Sequence, residues 1–108
     1  MANTYEVLGQ TTDTATGTAL VTVPASTEIV ISTIVICNRA SASKTFRIYL
    51  RPDDETLADK HYLAYDSSVN ANDTITMTLG VTMNASDVLY VYGEDANISF
   101  QAFGTKIT

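Results

Sequence analysis

The sequence predicts an all-β fold: a single antiparallel β-sandwich of about eight strands, jelly-roll-like or immunoglobulin-like. Three observations carry this. Thr is the commonest residue, and β-branched side chains crowd the apolar runs, which suits a pleated, half-buried surface. Apolar and polar residues alternate with period two in several segments, Lys44 to Arg51 most cleanly. Turn-forming residues recur about every ten residues, and no periodic stretch supports a helix longer than one turn.

The elements follow in order. Tyr5 to Gln10 reads as a short first strand. Thr11 to Thr18 is polar and aperiodic, so residues 1–18 are expected to form a flexible N-terminal strand or arm with a polar loop, and residues 19–108 the sandwich. Ala19 to Val23 is a second strand, ended by Pro24, which offers no ladder donor. Ile29 to Asn38 is the longest nearly unbroken apolar stretch, with apolar residues at both parities. It is expected as a central strand with protein on both sides over its second half.

Arg39 to Ser43 is a loop of hairpin length. In Lys44 to Arg51, Phe46, Ile48 and Leu50 face inward, and Thr45, Arg47, Tyr49 and Arg51 face outward. Pro52 stops this strand. The acidic connection Asp53 to Lys60 has room for one helical turn capped by Asp53 or Asp54. His61 to Asp66 is a strand with Tyr62 and Tyr65 on opposite faces. From Thr74, Ile75, Met77 and Leu79 point inward. Gly80 marks a bulge or bend, and the parity resumes at Val81 and Met83. Asp87 to Tyr92 and Asn97 to Phe103 are the last strands, joined by a hairpin at Gly93 to Ala96.

Composition narrows the possible functions. At 108 residues the chain makes one domain, and 45% hydrophobic against 17% charged residues marks it as packed rather than disordered. The formal net charge of −6 argues against nucleic acid or an anionic membrane as partner. The start Met-Ala-Asn-Thr-Tyr-Glu lacks the basic and apolar regions of a signal peptide, and no run is long enough to cross a bilayer. The chain is expected to be made in a cytoplasm and to leave it only within an assembly. One cysteine, Cys37, makes no internal disulfide, and its mid-strand position predicts a buried, inert thiol. Without Trp and a second Cys, the framework of antibody-type domains is missing.

No catalytic, cofactor or metal site is readable. His61 is the single histidine and has no nucleophile or ligand motif around it, so a surface or loop-packing role is expected. Asp53, Asp54, Glu55 and Asp59 match no calcium-loop spacing and read as a solvated loop. One feature suggests a partner. Arg47, Tyr49 and Arg51 form a stripe on the outward parity of their strand, and Tyr62 or Tyr65, with Tyr90 and Tyr92, extend it. Tyr and Arg are the types enriched at interface hot spots. The plainer reading is that these tyrosines edge the core with their hydroxyls in water.

Several words of the chain occur in a recognisable order. They are Val-Pro-Ala-Ser-Thr at 23–27, Cys-Asn-Arg at 37–39, Phe-Arg-Ile-Tyr-Leu-Arg-Pro at 46–52 and Leu-Ala-Asp-Lys-His-Tyr at 57–62. Asn-Asp-Thr at 72–74, Thr-Leu-Gly-Val-Thr at 78–82, Phe-Gly at 103–104 and a terminal Ile-Thr follow. In this order they resemble a family of small β-rich virion structural proteins of tailed bacteriophages, including cyanophages, over nearly the whole chain. Asp53-Asp54-Glu55 is more acidic than the small-residue loop expected at that place.

The resemblance implies a virion component with no catalytic residues. The favoured expectation is a capsid decoration (cement) protein on the outer surface of the mature head. Its partners would be the major capsid protein or other virion proteins, and it would be a homo-oligomer, trimer favoured. The alternative is a tail, neck or fibre component, including a host-adhesion module. A cytoplasmic interaction domain outside viruses is a third reading.

Overall fold

The computed structural model describes residues 2–108. Nine strands build two antiparallel sheets: β1 (Asn3–Thr12), β2 (Thr18–Thr22), β3 (Glu28–Asn38), β4 (Lys44–Arg51), β5 (Tyr62–Val69), β6 (Thr74–Met77), β7 (Val81–Met83), β8 (Val88–Gly93) and β9 (Ile98–Ile107). One sheet has the order β1-β9-β3-β6, with β7 also on β3; the other is β2-β8-β4-β5. The pairs β1–β9, β2–β8, β3–β6/β7 and β4–β5 nest inside one another, so the chain is a long antiparallel ribbon folded over with its tip between β4 and β5. That nesting is a jelly roll and resolves the choice left by sequence.

The nesting also corrects the local readings. The loops 39–43 and 94–97 are not hairpins, because β3 and β4, like β8 and β9, lie in different sheets. Gly80, at φ +61, interrupts the expected single strand and leaves β6 and β7 separate, with Leu79 exposed rather than inward. Two 3-10 turns, Pro52–Asp54 and Asp59–His61, replace the expected single turn, and in neither does the N-cap residue's side chain hydrogen-bond the turn.

The core is the inner faces of both sheets, with Ile31, Ile34, Ile36, Phe46, Ile48, Leu89, Val91, Ile98 and Phe100 essentially inaccessible. The Phe46 and Phe100 rings meet edge to face across the layers, centroids 6.2 Å apart. In β3 the register against β9 slips between Ile31 and Thr33. This bulge moves the inward positions from Ile29 and Ile31 to Ile34 and Ile36, because an extra residue reverses a period-two pattern. The apolar residues at both parities therefore reflect a bulge, not burial on both sides. Val30, Val35 and Cys37 lie half-exposed on the outer face, so the thiol is not buried as expected.

Residues 3–12 pair with β9 along their length, and the loop after them closes on Asp13. This segment forms an edge strand of the five-stranded sheet. Asp13 is buried and accepts hydrogen bonds from Thr16 N–H (3.1 Å), Thr16 Oγ1 (3.0 Å), Gly17 N–H (2.9 Å), Thr18 Oγ1 (2.7 Å) and Gly93 N–H (3.0 Å). Burial alone pushes this carboxyl up, but the bonds from Thr18, Gly93 and Thr16 outweigh it and hold the group below its ordinary value. Asn38 plays the same part elsewhere. Its Nδ2 donates to the carbonyls of Ala42 (2.9 Å), Val69 (3.1 Å) and Asn70 (3.2 Å), and its Oδ1 accepts from Ala40 N–H (2.9 Å). Nothing in the sequence pattern marked these two as buried anchors.

Candidate functional site

The outer face of the β2-β8-β4-β5 sheet carries the arginine and tyrosine stripe. Arg47, Tyr49 and Arg51 alternate along β4, and the ladder places Tyr92 opposite Arg47, and Tyr90 and Tyr62 on either side of Tyr49. On β5 the register slips between Phe46 and Ile48 and again between Ile48 and Tyr49. Each slip adds one residue to β5, and Asp66 takes a positive φ of 49° there. The slip between Tyr62 and Ala64 puts Tyr62 and Tyr65 on the same face, against the expectation of opposite faces. Their rings meet edge to face with centroids 4.8 Å apart.

The result is two rows across three strands. In the first, the Arg47 guanidinium lies between two rings, 4.2 Å from the Tyr65 centroid and 4.7 Å from that of Tyr92. Arg47 Nε also donates to Asp66 Oδ1 at 2.6 Å, and this bond raises the guanidinium's pKa above its already high value. In the second, Tyr49 stacks on Tyr90, centroids 5.2 Å apart and planes 4° from parallel, and meets Tyr62 edge to face at 5.4 Å. Beyond Tyr90, the Arg51 guanidinium sits 4.6 Å over the ring, while the Tyr90 hydroxyl donates to Asp54 Oδ1 at 2.9 Å. Arg51 Nη2 pairs with that carboxylate at 3.3 Å.

Tyr49 departs from the expectation that it would be wet: it is 6% exposed, covered by its neighbouring rings and by the 13–18 loop. A Cβ on Gly17, at φ +90, would stand 2.5 Å from the Tyr49 hydroxyl, so glycine lets this loop close over the ring. Burial pushes the Tyr49 phenol up, with the neighbouring Tyr62 adding to it. Burial and the bond to Asp54 do the same at Tyr90. Both rings are therefore neutral phenols at physiological pH.

The acidic connection is tied to this face. Asp54 holds Arg51 and Tyr90, and Glu55 receives the His61 Nε2–H at 3.0 Å. His61 is buried, and its Nδ1 accepts from Ala58 N–H at 2.9 Å, so the ring packs the loop. The His61 bond holds the Glu55 carboxyl below its ordinary value. Among the described residues no group of three or more His, Cys, Asp or Glu is placed to hold a metal.

The face is preorganised for stacking and hydrogen bonding. Each arginine is held by a ring and a carboxylate before any partner arrives, which limits the side-chain entropy lost on docking. Two arginines balanced by Asp54 and Asp66 leave it without a strong field of either sign. Tyr65 is 57% exposed and stands outermost, and Asp59, Tyr62 and Tyr65 line a shallow hollow beside it.

Comparison with known proteins gives a fold likeness. No family model matches the sequence, and no curated protein is similar to it. Among solved structures, the chain is similar to one described as the structure of infectious bursal disease virus Gx strain, with a TM-score of 0.54 and 13% identity. The match covers 97% of this chain and 31% of that one, so this chain spans about a third of that neighbour's length. At this identity the likeness shows a shared β-sandwich.

Proposed function

We propose that the chain is a virion structural protein of a tailed phage, a capsid decoration protein that docks through its arginine–tyrosine face on the assembled head. The observation that carries this is the face itself. Arg47, Tyr65, Tyr92, Arg51 and Tyr90 form one preordered, charge-balanced patch of the residue types that dominate protein interfaces. The order of sequence words resembling tailed-phage virion proteins supports the setting, and the sandwich shared with a virus structure is consistent with it.

The mechanism is mass action. A chain that binds only the assembled shell stabilises it by the free energy of binding, multiplied over many copies. A second reading is favoured by one observation, the hollow of Asp59, Tyr62 and Tyr65. Rings beside a carboxylate suit a sugar, and this would make the chain a host-adhesion module on the tail, neck or fibre.

Co-sedimentation of the purified chain with separated heads and tails lacking it tests both. Saturable binding to mature heads, absent with tails and unexpanded shells, is the expected result. Binding to tails, or retention by host cells alone, overturns the decoration reading in favour of the second.

A further inference from the structure

We propose that the free edge of β1, Asn3 to Val7, is a strand-pairing site whose occupant is the same edge of a second copy of this chain. The inference is independent of where in a particle the chain sits. β1 pairs with β9 on one side and, among the described residues, has no strand on the other. Ala2 and Thr108 exchange both main-chain hydrogen bonds, at 2.8 and 2.9 Å. By the alternation of an antiparallel ladder, Thr4 and Glu6 also turn their backbone groups toward β9, and Asn3, Tyr5 and Val7 turn theirs outward.

The other sheet edges are blunted. β2 has five residues, a register slip and a proline, Pro24, two residues beyond its end. β5 carries two slips and a left-handed Asp66. β6 and β7 have four and three residues and are split by Gly80. β1 has ten residues, no proline and no lysine, and its one register slip falls beyond Val7, between Val7 and Gly9. Its later half is guarded, because Gly9 lies against the Leu20 carbonyl so closely that a Cβ there would stand 2.1 Å from the oxygen. Its first half is open, and it presents Tyr5 at 83% and Val7 at 50% exposure. Natural sheets rarely leave such an edge unprotected unless something covers it.

Self-complementarity selects a second copy. A two-fold axis at Tyr5 sets Tyr5 against its own copy, Asn3 against Val7 and Thr4 against Glu6, and forms about six main-chain hydrogen bonds. Tyr5 then makes an aromatic cross-strand pair. The one charge on this edge, Glu6, which is bound to Lys106 at 3.4 Å in its own chain, faces Thr4 of the second copy rather than the second Glu6. Thr4 is itself paired with Lys106 on β9, so each carboxylate approaches a lysine from both copies. The charges balance across the junction, and the two five-stranded sheets become continuous.

Sedimentation equilibrium of the full chain at concentrations up to about 1 mM, where small interfaces associate, reads the pairing directly. Wild type is expected to dimerise, with concentration-dependent slowing of amide exchange at Tyr5 and Val7. Tyr5→Lys and Tyr5→Glu, each placing like charges on the axis, are expected to weaken dimerisation at least about tenfold, and their equimolar mixture to restore it. Tyr5→Pro removes an outward N–H that makes no bond to the described residues and is expected to give a folded monomer. A wild type that stays monomeric throughout, a dimer indifferent to all three substitutions, or exchange protection that appears only with another virion protein would each overturn the assignment.

Discussion

Tyr49 and Tyr90 lie face to face on adjacent strands, 5.2 Å between centroids and 4° between planes, with the Gly17 loop closed over the Tyr49 hydroxyl. This stack is the buried floor on which the two arginines and the outer tyrosines stand. The fold and the candidate site are thus coupled at one side chain.

Removing that floor is expected to be costly. Tyr49→Ala should lower stability by about 3 kcal/mol, the cost of truncating a buried aromatic, and move the urea midpoint accordingly. Tyr65→Ala, at an exposed position, should cost less than about 1 kcal/mol.

Gly17→Ala should destabilise by about 1–2 kcal/mol, from the positive φ and from the Cβ driven against the Tyr49 hydroxyl. Tyr49→Phe removes the oxygen that is struck. The double variant should therefore be more stable than the sum of the single effects predicts, a coupling that chemical denaturation of all four chains measures.

Asp13 gives stability a definite pH dependence. Its carboxyl is held below the ordinary 3.8, so the folded chain binds that proton less readily than the unfolded chain. The contribution is present above the unfolded value and is lost as the pH falls through the folded one. Asp13→Asn should lose about 2 kcal/mol at neutral pH and show a flatter acid limb in thermal unfolding from pH 7 to pH 2 than wild type.

Asn38→Asp should be worse than Asn38→Ala. The carboxylate would face three carbonyl oxygens that now receive Nδ2–H bonds, at a cost of about 3 kcal/mol or more, whereas alanine leaves the acceptors unpaired without adding a buried charge. Urea unfolding at neutral pH separates the two.

The sandwich was legible because Phe46 and Ile48 carry a period-two signal that burial then obeys, and because the third strand is crowded with β-branched residues. The bulges were not. A single added residue near Ser32 changes which parity of β3 points inward, and one slip in β5, at Leu63, brings Tyr62 beside Tyr65. No side-chain type at those positions announces either. The stripe of Arg47, Tyr49 and Arg51 was visible on one strand. Its extension by Tyr62 or Tyr65, with Tyr90 and Tyr92, was also expected, whereas its ties to Asp54 and Asp66 and the burial of Tyr49 depend on the lateral order of β8, β4 and β5. The anchors Asp13 and Asn38 escaped because an isolated Asp or Asn in a polar stretch reads equally well as solvated loop.

The proposed docking surface on the head is the arginine–tyrosine face. Its most direct test is a titration of mature heads lacking the chain with wild type and with Arg47→Glu combined with Arg51→Glu, the variant first shown to be folded by thermal unfolding. Saturable wild-type binding is expected, weakened at least about tenfold by the charge reversals, as for hot-spot arginines. Equal occupancy by a folded variant would contradict it and remove this face from the interface.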